Sequence, residues 1–70
     1  MNKLNELSTV ALLKELPEKS LKKGDVGTVV LELSDKMVEV EFVNKDGTTH
    51  SITAVPVEAL IKLNLDPTPA

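Results

Sequence analysis

Two stretches between Thr28 and Val43 alternate with a period of two, and a turn signal follows each of them. Val29, Leu31 and Leu33 are spaced by Thr28, Val30 and Glu32; Val38, Val40 and Phe42 are spaced by Glu39 and Glu41, with Val43 following. Between these runs stands Ser34-Asp35, and after the second comes Asn44-Lys-Asp-Gly47, then a third run that stops at Pro56. Period two is the signature of strands buried on one face, and short polar connections between such runs impose antiparallel neighbours. The middle of this chain is therefore constrained to a three-stranded meander.

The turns set the expected register. A tight turn at Ser34-Asp35 pairs Leu31 with Val38 and Val29 with Val40, all facing inward, with Val30 opposite Glu39 and Thr28 opposite Glu41 on the other face. The order Asn, Asp, Gly in Asn44–Gly47 suits a type I turn closed by a glycine bulge. That turn pairs Asn44 with Thr48, hence Phe42 with His50, Val40 with Ile52 and Val38 with Ala54. A plain two-residue turn at Asp46-Gly47 would move Ile52 outward, so the bulged turn is preferred.

The flanks read less sharply. Leu4, Leu7, Val10, Leu13 and Leu16 recur every three residues, as in a short amphipathic helix. Ser8 to Leu16 also reads as a strand ending before Pro17, a residue that disfavours helix in the one before it. A strand over 8–15 is preferred to the helix. Residues 17–25 form a polar loop with Leu21 as a core anchor. Pro56 to Leu60 fits one helical turn, and 61–63 a last short strand. Residues 64–70, with two prolines and no periodicity, are expected to be a disordered tail behind a single domain over 1–63. This order predicts an all-β fold: a small SH3-like bent barrel of about five strands with one helical turn near 56–60.

Seventy residues make one domain, and none of them is cysteine, so the core has to come from eleven Leu, nine Val, two Ile and Phe42. The net charge is −3, and all eight basic residues are lysine. An acidic chain without arginine is a poor match for nucleic acid, whose binders neutralise phosphates. No apolar run approaches the ~20 residues of a membrane span. Glu6 and polar residues occupy the place of a signal peptide's apolar core, so a cytoplasmic protein is expected.

Three segments also carry a resemblance. Val10-Ala-Leu-Leu-Lys-Glu-Leu-Pro17, Leu21-Lys-Lys-Gly-Asp-Val-Gly-Thr-Val-Val30 and Val38-Glu-Val-Glu-Phe42 resemble, in that order, the bacterial domain-of-unknown-function 4926 family over roughly residues 9–63. The resemblance implies a free-standing, single-domain bacterial protein of about this length. It brings no activity and no catalytic residues. The Gly-Asp-x-Gly-Thr-Val element is also similar to the corresponding turn of ribosomal KOW motifs and of the nitrile hydratase β-subunit barrel, a likeness of fold alone.

Each candidate site has a structural reading beside it. The glycines of Gly24-Asp-Val-Gly27 suit a loop-to-strand corner better than a phosphate cradle: the lysines precede them, Asp25 would repel an anion, and a strand follows. His50, the sole histidine, is expected to face Phe42 at the barrel mouth with no carboxylate beside it. Glu32, Glu39 and Glu41 line the outer face; Glu39 and Glu41, two apart, could bind a divalent cation weakly, but solvated charges are the preferred reading, with an acidic docking patch as another. Lys19, Lys22 and Lys23 solvate a loop. With neither Trp nor Tyr, an SH3 ligand groove, an aromatic cage or a base-stacking platform lacks its side chains.

No catalytic, cofactor or metal residues are assigned, no small-molecule substrate is evident, and an enzyme is not expected. The reading is a non-catalytic protein-binding or accessory module. Its partner surface would be Val26, Val30 and Val43 with Glu39 and Glu41, together with an edge strand, and its partner another protein or a second copy. Alternatives are a KOW-like nucleic-acid barrel using the loop lysines and an antitoxin-like partner of a neighbouring larger protein.

Overall fold

The computed structural model describes residues 6–63. Five strands, β1 (Thr9–Leu12), β2 (Val26–Glu32), β3 (Met37–Val43), β4 (Thr49–Pro56) and β5 (Leu60–Lys62), form one antiparallel sheet in the order β4-β3-β2-β1-β5. Two single turns of 3-10 helix, Pro17–Lys19 and Val57–Ala59, sit in the connections. The fold is all-β, compatible with the expected bent barrel, and its helical turn falls within the expected span. Among the described residues, no helix is long and apolar enough to cross a membrane. The expected tail, 64–70, lies outside the described residues.

The first segment is a strand rather than a helix, shorter than expected, and Pro17 begins the 3-10 turn that follows it. Val10 and Leu12 point inward from β1, and Leu21 reaches the core from the long loop as its anchor. They meet Val29, Val38, Val40, Phe42, Val55, Ala59 and Leu60 in one apolar cluster.

The corner at Gly24–Gly27 has the expected structural character. Gly24 takes a positive φ of 93° and donates to the Leu12 carbonyl, while the Asp25 carboxylate accepts from the Lys22 N–H at 2.8 Å. Gly27 serves a different need. A Cβ there would stand 2.6 Å from Val40 Cγ1 and 2.7 Å from the Glu41 carbonyl oxygen, so only glycine lets β2 approach β3 so closely.

The register departs from expectation in part of each hairpin, and each contains one β-bulge. In β2–β3, Val29 faces Val40 and Thr28 faces Glu41 as expected, but beyond a shift at Val30 it is Leu31 that faces Glu39 and Glu32 that faces Val38. Leu31 and Leu33 are consequently exposed rather than core residues. In β3–β4 the turn itself is as expected: the Asn44 N–H donates to the Thr48 carbonyl, the Gly47 N–H donates to the Asn44 carbonyl, and Gly47 has a φ of 90°. A second shift then leaves His50 unmatched between Val43↔Thr49 and Phe42↔Ser51. Val40 therefore faces Thr53, and Val38 faces Val55, instead of Ile52 and Ala54.

Ile52 turns outward as a result. The exchange admits Val55 to the core in place of alanine and keeps the polar His50 ring out of it. It buries one hydroxyl, that of Thr53, which donates to Ser51 Oγ at 3.2 Å and so is not left without a partner.

Candidate functional site

With Val10 and Leu12 inside, Ala11 faces out, and its neighbours on both sides are apolar: Val26 on β2 and Ile61 on β5. The pairing of Gly27 with Phe42 puts Val43 next to Val26 one step further along. Ile61, Ala11, Val26 and Val43 thus form a row across four strands. The three larger side chains are 49%, 45% and 53% exposed, and the small Ala11 between them is buried. Of this row Val26 and Val43 are expected from the sequence but Ile61 is not, because a three-residue strand is too short for its alternation to reveal a face.

Val26 and Val43 also share a shallow depression of about 240 Å³ with Leu21 and Phe42, bordered by Lys45 and His50. The imidazole of His50 leans away from the strand, with Nε2 3.0 Å from the Lys19 carbonyl oxygen. A carbonyl only accepts, so Nε2 carries the proton and donates. His50 does not face Phe42, contrary to expectation. Its ring instead ties the β4 bulge to the loop that holds the 3-10 turn.

Two further rows complete the outer face. Thr28, Glu41 and Ile52 lie side by side, as do Leu31, Glu39 and Ala54. Glu39 and Glu41 are half-buried, and Thr49 Oγ1 donates to Glu41 Oε2 at 2.6 Å, which fixes the direction of that carboxylate. Val30, half-buried at the bulge, lies beside this face, although Leu31 and not Val30 is opposite Glu39. The five expected partner residues thus fall into two neighbouring groups, Val26 with Val43 and Val30 with Glu39 and Glu41. Ile52 and Leu31 belong with the second group, and only the bulges reveal them. Among the described residues, no three His, Asp or Glu side chains gather in a way that could hold a metal ion.

A family model, described as Domain of unknown function (DUF4926), matches residues 6–62, nearly all of the described chain. The chain belongs to that family. No curated protein and no solved structure matches this DUF4926 chain. Any account of its function has to rest on its own surface.

Proposed function

We propose that this protein is a small non-catalytic module that binds another protein through the outer face of its sheet. The observation that carries the reading is the row Ile61–Ala11–Val26–Val43, continued on the same face by Ile52 and Leu31 around Glu39 and Glu41. In a 70-residue chain whose core is a single small cluster, leaving so many aliphatic side chains in water gives up stabilisation that burial would supply. A partner that covers them recovers it. The apolar rows with carboxylates between them match the make-up of a protein interface, an apolar centre with a polar rim.

The module acts in the cytoplasm, a setting suited to a chain without cysteine. Its partner is a different protein or a second copy of the chain. Affinity capture from the source cell with Val26→Glu, Val43→Glu and unmodified bait tests the reading, with size-exclusion light scattering beside it. One partner recovered only by the unmodified bait, or a dimer lost in the variants, supports it. A monomer that recovers nothing above background defeats it, and a salt-sensitive shift of RNA or DNA would favour the nucleic-acid alternative.

A further inference from the structure

Strand β4 is one of the two edge strands of the sheet, and among the described residues no strand pairs with its far side. The ladder fixes which of its backbone groups are free. The Val57 N–H donates to the Lys36 carbonyl at 2.9 Å, next to the pair Met37↔Pro56. Antiparallel pairs alternate between bonded and non-bonded. Counting back from Val57, Val55, Thr53 and Ser51 turn their N–H and C=O groups towards β3, while Ile52 and Ala54 turn theirs to the open edge. Pro56 fits this count, since it stands where the ladder asks for no N–H.

The edge is protected only at its ends, by the bulge at His50 and by Pro56. From Ser51 to Val55 it has no charge and no proline, the devices that normally keep an edge from pairing with another chain. The start of β4 is closed off by the His50 ring on Lys19, so the opening lies beyond His50.

Charge selects the occupant. Strands β1 to β4 contain three glutamates, Glu32, Glu39 and Glu41, and no lysine. The lysines of the described residues lie in the connections, except Lys62 in β5 at the opposite edge. A strand added to β4 would run about 10 Å from β3, two strand spacings away. A long cationic side chain can cross that distance where the intervening residue is small. Ala54 is that residue, and it lies opposite Glu39. Two residues away, Ile52, 57% exposed, bars the way to Glu41 and offers an aliphatic contact instead.

We propose that the free edge of β4 takes an extended segment of another protein, with a Lys or Arg beside Ala54 paired to Glu39 and an aliphatic residue beside Ile52. Backbone bonds to Ile52 and Ala54 supply the affinity and the two side chains the selectivity, as in strand addition to other open sheets. This inference rests on the protein-binding reading and narrows it to one edge and one ligand chemistry.

The test is an NMR titration of the full ¹⁵N-labelled chain with the capped peptide TKTVTKTV, and with a control carrying Glu for each Lys. The Lys peptide shifts the amides of Ile52, Ala54 and Glu39, added salt weakens it, and the Glu peptide does not bind. Glu39→Gln weakens binding about twofold to fivefold, the scale of one exposed ion pair. Ala54→Pro removes an edge donor without touching the β3 ladder, so it abolishes binding while the spectrum stays folded.

Equal binding of both peptides overturns the proposal, and so do shifts confined to Val26, Val43 and Ile61. A dimer that Ala54→Pro dissolves would assign the edge to a second copy and overturn it as well. In those cases the broader protein-binding reading survives. It falls too only if affinity capture and light scattering also find no partner and no dimer.

Discussion

The two hairpins that share β3 each contain one tight turn and one bulge, but the bulges act in opposite senses. In β2–β3 the turn is one residue longer than Ser34-Asp35 implies: both the Leu33 and Ser34 N–H groups donate to the Met37 carbonyl. The extra residue at Val30 then cancels that error, so Val29 and Thr28 meet the partners that alternation assigns them. In β3–β4 the turn follows its sequence signal, and the bulge at His50 instead displaces everything beyond it by one. A bulge near a turn can restore a register or overturn one. Which it does is decided by the side chains it moves into the core. Both also bend their strands, which a five-stranded sheet needs in order to curl around so small a core.

The largest expected effect comes from the register of β4. Val55 is fully buried and Ile52 mostly exposed, the reverse of what an unbulged strand would give. Val55→Ala should cost about 1.5–3 kcal/mol in urea unfolding. Ile52→Ala should stay within about 0.5 kcal/mol. Reversal of that order would show the unbulged register to be the true one.

Next comes the other hairpin, at the close approach of β2 to β3. Gly27→Ala forces a methyl into contact with the Glu41 backbone as well as the Val40 side chain, and a backbone carbonyl cannot rotate away. A loss of about 1–3 kcal/mol is expected, as for other overpacked sites. The amides of Val29, Val40 and Phe42 should shift with it, while those of the Asn44–Thr48 turn should not. An unperturbed Gly27→Ala protein would mean that the two strands lie further apart than described.

Much of this fold is legible in the residues, and the misreadings have one physical source. Alternation is strong enough in Met37–Val43 that Val38, Val40 and Phe42 are assigned to the core correctly, and Pro17, Pro56 and Gly47 mark real breaks. A bulge leaves no such mark. His50 and Val30 are ordinary strand residues by composition, and each becomes the unmatched one because of what lies across the sheet. For the same reason the expected surface around Val26 and Val43 could be named from the sequence, whereas Ile52, Leu31 and Ile61 needed the pairing. Sequence order sets which strands are neighbours in this meander; tertiary contacts set the last residue of register.

The turns themselves differ in how they are held, which gives the third effect. Gly47 has a positive φ with open space around it, so Gly47→Ala is penalised by backbone conformation alone. About 1–2 kcal/mol is expected. No residue of the Ser34–Lys36 turn has a positive φ, so Asp35→Ala should change stability by no more than about 0.5 kcal/mol. Thermal unfolding of the two variants side by side compares the turns directly. Equal losses would mean that the β2–β3 turn carries a conformational strain of its own.

The smallest effect separates the turns by chemistry. In β2–β3 the Ser34 hydroxyl accepts from the N–H groups of Lys36 and Met37, both at 3.1 Å. In β3–β4 the same task falls to the Asp46 carboxylate, which accepts from the Thr48 hydroxyl at 2.7 Å and the Thr48 N–H at 3.0 Å. Those bonds, the hydroxyl's above all, favour the ionised form and hold the Asp46 pKa below its ordinary 3.8. A pKa lowered by folding adds stability that is present above the unfolded value and is lost as the pH falls through the folded one. Acid should therefore loosen the β3–β4 turn through its acceptor, the Asp46 carboxylate, whereas the acceptor of the β2–β3 turn is the Ser34 hydroxyl, which takes up no proton in this range. In an NMR titration the Thr48 amide proton should move upfield with a midpoint below 3.8 and stay still in Asp46→Asn. Thr48→Val, which removes the hydroxyl donor, should raise that midpoint towards the ordinary value. A midpoint unchanged by Thr48→Val would leave the carboxylate's preference to the backbone bond alone.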